Sequence, residues 1–108
     1  MITEKEEQMT IKLINHGTTG ELLLEGRMNS ATAEDALKVM DQVADRFDDL
    51  ILNFEKLDYI SSAGLRNLKL LYVKMQAKNG DITIRHANPM VTEVLEMTGF
   101  VCLFKMEA

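Results

Sequence analysis

Hydrophobic residues along this chain follow a strand-like pattern and a helix-like pattern in turn, and this alternation limits the fold more than any other feature. The strand-like segments, which alternate or run apolar, are residues 9–14, 21–28, 50–54, 81–85 and 100–106. The helix-like segments, with apolar residues three and four positions apart, are residues 33–47, 62–78 and 88–99. Such alternation is typical of an α/β domain in which helices connect parallel strands by right-handed crossovers.

The first two strand-like segments differ from the others because only a short polar stretch, residues 15–20, separates them. A loop of this length joins antiparallel strands. The sequence therefore predicts the order β-β-α-β-α-β-α-β: a mostly parallel sheet with an N-terminal antiparallel hairpin and helices packed on it. Residues 100–106 are expected to form a last apolar strand or a packed tail. The apolar strand around Leu52 and Phe54 is typical of a sheet covered on both faces.

Local signals place the starts of the three helices. Asn29 and Ser30 are N-cap candidates for the first helix, and Ser62 is the candidate for the second. Asn88, followed by Pro89 at the first helical position, indicates the start of the third.

Length and charge set the broad class. The 108 residues suit one domain; residues 1–8 are polar and acidic and are expected to be a flexible N-terminal extension, with residues 9–108 as the single domain. The net charge of −5 argues against nucleic-acid binding, which needs a basic surface. No apolar run approaches the roughly 18 residues of a membrane span, and the N-terminus is unlike a secretory signal. These features predict a cytoplasmic protein with no direct membrane insertion.

Residue types that usually carry catalysis or bind metals are sparse. His16 is interpreted as a solvated turn residue and His86 as a strand-end residue, and their spacing fits no metal motif. Cys102, the only cysteine, lies among apolar residues and is predicted to be a small core residue. Most of the eight methionines are likewise interpreted as core. The sequence predicts no catalytic residue, no metal, no cofactor and no enzyme.

One segment, Leu57–Arg66, carries more information than its neighbours. It is expected to join the central strand to the second helix, at the edge of the sheet where α/β proteins usually place their sites. Ser62 is interpreted as the N-cap, a role that by itself explains a serine there. Gly64 falls inside the helix, where glycine costs about 1 kcal/mol relative to alanine, so another backbone or a partner is expected to approach it closely.

The second helix has apolar residues outside its inward stripe. Leu70 and Val73 lie between the basic residues Arg66, Lys69 and Lys74. Such a pattern is found in docking surfaces, and equally in helices with a wide buried face. Both interpretations stay open from the sequence.

Three spaced segments resemble the STAS domains of bacterial anti-sigma factor antagonists. They are Asp58–Leu65 (DYISSAGL), Gly26–Ala33 (GRMNSATA) and Val94–Phe100 (VLEMTGF), in the order of that family. The resemblance covers about residues 9–106 and implies the same mostly parallel sheet with helices.

The resemblance also implies a phosphorylation switch. An unphosphorylated antagonist binds an anti-sigma factor that is also a serine kinase, and this frees the sigma factor. The kinase phosphorylates a serine just ahead of the second helix, the complex dissociates, and a metal-dependent serine phosphatase resets the cycle. That serine corresponds to Ser62, and a phosphate there would meet the free N–H groups of the helix start.

This chain departs from the family pattern in several places. Ser61 stands where Asp is frequent, which makes it a rival phosphorylation site, and Asp58 is a candidate for the nearby negative charge. Ala63 replaces a frequent hydroxyl residue, and Arg66 stands where a small residue can occur. The predicted partner-binding residues are Asp58, Ser61, Ser62, Ala63, Gly64, Arg66, Lys69, Leu70, Asn29 and Ser30.

A second function remains open. STAS domains also serve as scaffolds or regulatory modules in stress-signalling complexes and as accessory subunits of membrane lipid-transport complexes. In those roles the partner is permanent and Ser62 is only a cap.

Overall fold

The computed structural model describes residues 9–108, and there the hydrophobic patterns become five strands, three α-helices and one 3₁₀ turn. The elements are β1 (Thr10–His16), β2 (Thr19–Met28), α1 (Ala33–Arg46), β3 (Asp49–Ile60), α2 (Ser62–Gln76), β4 (Ile82–Arg85), α3 (Pro89–Met97), the 3₁₀ turn (Phe100–Cys102) and β5 (Lys105–Glu107). The predicted extension, residues 1–8, lies outside the described residues and stays a prediction.

The five strands form one sheet in the order β1-β2-β3-β4-β5. The β1–β2 pair is antiparallel, and the other three pairs are parallel. The predicted class and element order are therefore confirmed. The last segment differs in one detail, since a 3₁₀ turn precedes β5.

One face of the sheet carries the hydrophobic core. Each strand pairs with the next along the chain, so right-handed crossovers place all three helices on the same side. Leu22, Leu52 and Ile84 on that face are fully buried in one cluster with residues from all three helices. On the opposite face, Leu23 and Ile51 are only half-buried. For residues 9–108 the prediction that both faces are covered is wrong, because none of the crossovers in this range passes over that side.

A row of polar side chains crosses the uncovered face, with one residue from every strand: His16, Glu21, Asn53, Arg85 and Glu107. The Glu21 carboxylate lies 2.8 Å from His16 Nε2, accepts a hydrogen bond of 3.0 Å from Asn53 Nδ2 and lies 3.5 Å from Arg85 Nη1. Arg85 Nε in turn donates to Glu107 over 2.8 Å. His16 is the last residue of β1, so its interpretation as a turn residue is wrong.

Glu21 is only 5% exposed although it lies on the uncovered face. Burial alone would raise the pKa of this carboxyl. The hydrogen bonds with Asn53 and His16, together with the charge of Arg85, outweigh that effect, and the pKa of Glu21 is lowered. The carboxylate is thus held in its charged form by its neighbours on three strands.

Two predictions about sulfur-containing residues need correction. Cys102 is exposed, because the 3₁₀ turn directs it outward while Phe104 enters the core instead. Met28, Met40 and Met75 are buried as predicted, but Met90, Met97 and Met106 are exposed. None of the helices in residues 9–108 has the length and apolar character needed to cross a membrane.

Candidate phosphorylation and partner-binding site

The segment that joins the sheet to α2 is shorter than the sequence suggests. Strand β3 continues to Ile60, which pairs with Met28 of β2, and the Ser61 N–H still donates to the Met28 carbonyl over 2.9 Å. Only Ser61 separates the strand from the helix. Asp58, expected in a loop, therefore lies on the strand, where it is exposed.

Ser61, and not Ser62, is the N-cap of α2. Its backbone is extended (φ −99°, ψ −179°), and its Oγ accepts from the Gly64 N–H at 3.4 Å. The prediction that Ser62 caps the helix is wrong by one residue. Either hydroxyl could cap, but the pairing of β3 with β2 holds Ser61 extended and makes Ser62 the first helical residue.

Ser62 is exposed at the start of α2, whereas Ser61 is half-buried. Among residues 9–108, the Ser62 hydroxyl takes part in no side-chain hydrogen bond. It stands next to the first-turn N–H groups of α2, which have no acceptor within the helix. An added phosphate could therefore be accommodated here without breaking an existing contact.

Gly64 is buried beneath this surface. A Cβ at this position would lie 2.6 Å from Ile60 Cγ1 and 3.0 Å from the Met28 carbonyl oxygen. The close approach expected from the sequence is therefore made by the chain's own β2 and β3. Gly64 allows α2 to start close against the sheet and does not itself form the outer surface.

The turn before α1 forms the second half of the site. Asn29 Oδ1 accepts from the N–H groups of Ala31 and Thr32 at 2.9 and 3.2 Å, and Thr32 Oγ1 donates to the Arg27 carbonyl over 2.8 Å. The helix then starts with Thr32 as N-cap. The prediction of Asn29 and Ser30 as caps is wrong, because Asn29 closes a tight turn ahead of the helix.

These two halves meet in a groove of about 370 Å³ between the starts of α1 and α2. Its walls include Ser30, Ala33 and Leu37 on one side and Ala63, Arg66 and Leu70 on the other. Four of the predicted partner-binding residues therefore come together: Ala63, Arg66 and Leu70 on α2, and Ser30, which is distant from them in the sequence.

The outward side of α2 continues from this groove. Ser62, Arg66, Lys69, Leu70 and Val73 recur at helical spacing and are all exposed; we call this set the α2 face. Leu70 is 43% and Val73 53% exposed. Of the two interpretations left open by the sequence, the wide buried face is thus excluded.

Sequence reasoning missed two features of this site. Arg27 lies over the Tyr59 ring at 4.4 Å, a pair formed because β2 and β3 place these residues opposite each other. Asn67 is 4% exposed and donates through Nδ2 to the Ala33 carbonyl over 2.7 Å. Asn67 could have been identified from the sequence because it is an amide residue that directly precedes Leu68, a residue of the inward apolar stripe of the helix.

Residues 9–108 contain no cluster of three or more His, Cys, Asp or Glu side chains that could hold a metal ion. The arrangement offers a free hydroxyl at a helix start and a mixed basic and apolar surface beside it. Both are suited to regulated protein binding.

Comparisons with known proteins identify the family of this chain. The STAS domain family model matches residues 10–108. BtrV of Bordetella bronchiseptica, assigned as an anti-sigma factor antagonist, is 35% identical over 82 residues, which cover 75% of this chain and 71% of BtrV. The chain's fold also matches the anti-sigma factor antagonist SpoIIAA in its unphosphorylated form (TM-score 0.80, 20% identity, 92% of this chain and 88% of the other). It matches the phosphorylated form of Bacillus SpoIIAA as well (TM-score 0.74, 19% identity, 92% and 91%).

Proposed function

This chain belongs to the STAS domain family and is a relative of the anti-sigma factor antagonists, and from that premise we propose that it is an antagonist switched by phosphorylation of Ser62. In the unphosphorylated form it binds a serine-kinase anti-sigma factor through the α2 face and the adjoining groove. Transfer of phosphate to Ser62 reverses the binding.

The observation that carries this proposal is the division of roles between two adjacent serines. Ser61 caps α2, and its hydroxyl is engaged with the Gly64 N–H. Ser62 is exposed, and within the described part of the chain its side chain makes no hydrogen bond. Ser62 can therefore be modified without loss of the helix cap, which favours it over Ser61 as the phosphorylation site.

A phosphate on Ser62 is stabilised by the start of α2 but disfavours contact with the partner. The positive end of the helix dipole and the first-turn N–H groups that Ser61 does not cap favour an anion at Ser62. Arg66, one turn further along the same side, adds a positive charge. At the partner's surface, however, a group carrying about two negative charges introduces bulk and repulsion. The phosphate thus acts on binding and leaves the fold intact.

The α2 face indicates what the partner must present. Arg66 and Lys69 favour acidic groups on the partner. Leu70 and Val73 favour apolar side chains on the partner beside those acidic groups. The antagonist needs no catalytic residue of its own, because the kinase supplies the chemistry of phosphorylation. A metal-dependent serine phosphatase reverses it.

The proposal is tested with four immobilised forms of the chain in lysate from the source organism: wild type, Ser62→Ala, Ser62→Asp and Gln76→Glu. The last adds a negative charge at the far, exposed end of α2 and serves as the charge control. We expect a serine-kinase anti-sigma factor to be retained by all forms except Ser62→Asp. The recovered kinase is then supplied with ATP, and the phosphorylated position is mapped by mass spectrometry in wild type, Ser61→Ala and Ser62→Ala.

Phosphate on Ser62 in wild type and Ser61→Ala, and none in Ser62→Ala, would support the switch. Equal retention by Ser62→Ala and Ser62→Asp would contradict it and favour a permanent scaffold or transport subunit. Phosphate on Ser61 in wild type would move the switch to the neighbouring hydroxyl.

A further inference from the structure

Asn67 is a buried polar residue in the apolar interface between α1 and α2. Its Nδ2 donates to the Ala33 carbonyl over 2.7 Å and lies 3.6 Å from Met28 Sδ, joining positions 34 residues apart in the chain. Ala33 is the first residue of α1, and Asn67 lies one and a half turns after Ser62 on α2. The contact therefore joins the starts of the two helices that form the groove.

The Ala33 carbonyl already has a partner within α1. In an α-helix it accepts from the N–H four residues later, which here is Leu37. The Ala33 carbonyl oxygen thus accepts two hydrogen bonds, one from Asn67 Nδ2 and one from the Leu37 N–H. Leu37 itself lines the groove. A relative shift of the two helix starts that breaks this bond would leave the buried Nδ2 with only the long contact to Met28 Sδ, which is costly.

A second set of polar contacts joins the same helices at their other ends. Lys74 Nζ lies 2.9 Å from Asp41 and 2.8 Å from Asp45, and Lys78 Nζ donates to the Phe47 carbonyl over 2.7 Å. The Lys74 pairs involve half- or fully exposed side chains, and such surface pairs contribute little. The buried contact lies at the end of the helices that carries Ser62.

We propose that Asn67 is a positioning residue that couples the phosphorylation site on α2 to the first turn of α1, so that the groove changes as one unit when Ser62 is modified. The inference rests on the proposed switch at Ser62. The proposed switch adds charge to the α2 face. The coupling adds a second effect, because phosphorylation of Ser62 on α2 would then also alter the α1 side of the groove.

The coupling can be measured without a partner. Ser62→Asp, used as the mimic of phosphoserine, is compared with wild type by NMR, with the Leu37 amide as the reporter on α1. The same comparison is made in an Asn67→Leu background, where the side chain keeps its shape but loses its donor. We expect Ser62→Asp to shift the Leu37 amide and to change its hydrogen-exchange rate in wild type. Both responses are lost in Asn67→Leu, while the Leu65 amide on α2 responds in both backgrounds.

Two further variants separate coupling from simple loss of packing. Lys74→Gln removes the exposed pairs between the helices and is expected to leave the Leu37 response unchanged. Asn67→Ser is the alternative if Asn67→Leu does not fold, since a serine hydroxyl can bond within its own helix but is too short to reach Ala33.

A Leu37 response of equal size with and without Asn67 would overturn the proposal, as would no Leu37 response in wild type. An equal loss in Lys74→Gln would also overturn it, because the effect would then belong to the whole helix interface. The two proposals fail in different experiments. Failure of the proposed function is seen when the kinase leaves Ser62 unmodified, and failure of the coupling is seen in the NMR comparison, which needs no kinase.

Discussion

At the scale of single residues, two neighbouring serines have different roles because they lie in different backbone conformations: Ser61 is extended and Ser62 is the first helical residue. Ser61 remains extended because its N–H pairs with Met28, and its hydroxyl turns toward the helix. Ser62 is one residue further on and faces solvent. The sequence identifies the pair but not the register, since both residues are equally good caps and the end of β3 depends on pairing with a distant strand.

This division of roles predicts different effects on stability. Ser61→Ala is expected to lower the free energy of unfolding by about 1 kcal/mol, because the Gly64 N–H loses its acceptor. Ser62→Ala is expected to change it by less than about 0.5 kcal/mol, as for an exposed residue without a special role. Urea denaturation of both variants checks this. Equal losses would mean that the cap is shared.

Glu21 predicts a dependence of stability on pH. Its pKa in the folded chain lies below the ordinary value of 4.5. Its contribution is therefore fully present above about pH 4.5 and is lost as the pH falls from there through the folded pKa. We expect Glu21→Gln to be less stable than wild type by about 2 kcal/mol at neutral pH, because the buried group loses its charge and one of the two oxygens that face His16, Asn53 and Arg85.

The same variant should lose less stability than wild type as the pH falls from about 5 to about 3, a range that begins above the ordinary pKa of 4.5 and ends below it. Denaturant titrations at several pH values measure this difference. Glu25→Gln is the matched control, since Glu25 is an exposed carboxylate on the same strand. Parallel pH curves for wild type and Glu21→Gln would contradict the prediction.

At the scale of the elements, the hydrophobic periods were enough to predict the helices and most strands. They failed for the second half of β3, where Glu55, Lys56 and Asp58 interrupt the apolar run. The pairing of β2 with β3 shifts register twice in this region, between Leu23 and Glu25 and between Gly26 and Arg27. Such irregularities break the period-two pattern, so a local reading ends the strand too early.

The site was predicted to a similar extent. Most of its residues were predicted from the resemblance to known antagonists, and Leu70 from its place outside the inward stripe of α2; four of the predicted residues line one groove. Asn67 and the Arg27–Tyr59 pair were missed because each depends on a contact between distant segments. No local pattern carries that information.

The exposed apolar residues of α2 predict a loss of binding without a loss of folding. Leu70→Glu is expected to weaken binding of the anti-sigma factor at least tenfold, since a charge replaces an apolar contact on a basic and apolar surface. Its stability should change by about 0.5 kcal/mol or less. Leu71→Glu is the matched control; Leu71 is 1% exposed, and a charge there should unfold the domain.

Binding is measured by calorimetry with the recovered anti-sigma factor, and folding by circular dichroism. Unfolding of Leu70→Glu would show that Leu70 belongs to the core. Unchanged binding by a folded Leu70→Glu would place the partner elsewhere.

At the scale of the whole molecule, the β5 edge of the sheet is held mainly by polar contacts. β5 has only three residues, all exposed, and is paired to β4 through its ladder and two exposed ion pairs, Arg85–Glu107 at 2.8 Å and Lys105–Asp81 at 3.0 Å. β5 therefore buries little apolar surface against the rest of the domain. Ion pairs of this kind are weakened by salt.

We therefore expect β5 to open separately from the rest of the sheet. Raising the salt concentration should increase hydrogen exchange of the β5 amides several-fold and leave the β2 and β3 amides unchanged. Lys105→Gln should produce part of this increase at low salt. Equal protection of β5 at low and high salt would show that backbone pairing and Phe104 alone hold the edge.

The strand order also has a consequence for how the chain is made. Because every strand lies beside its predecessor in the sequence, each unit that leaves the ribosome can add to an edge that already exists. No strand has to wait for a later segment to be inserted beside it, because each parallel pair is closed by a single crossover that contains one helix. The domain can assemble in the direction of synthesis, and the surface that carries Ser62 is complete only when α2 has joined the growing sheet.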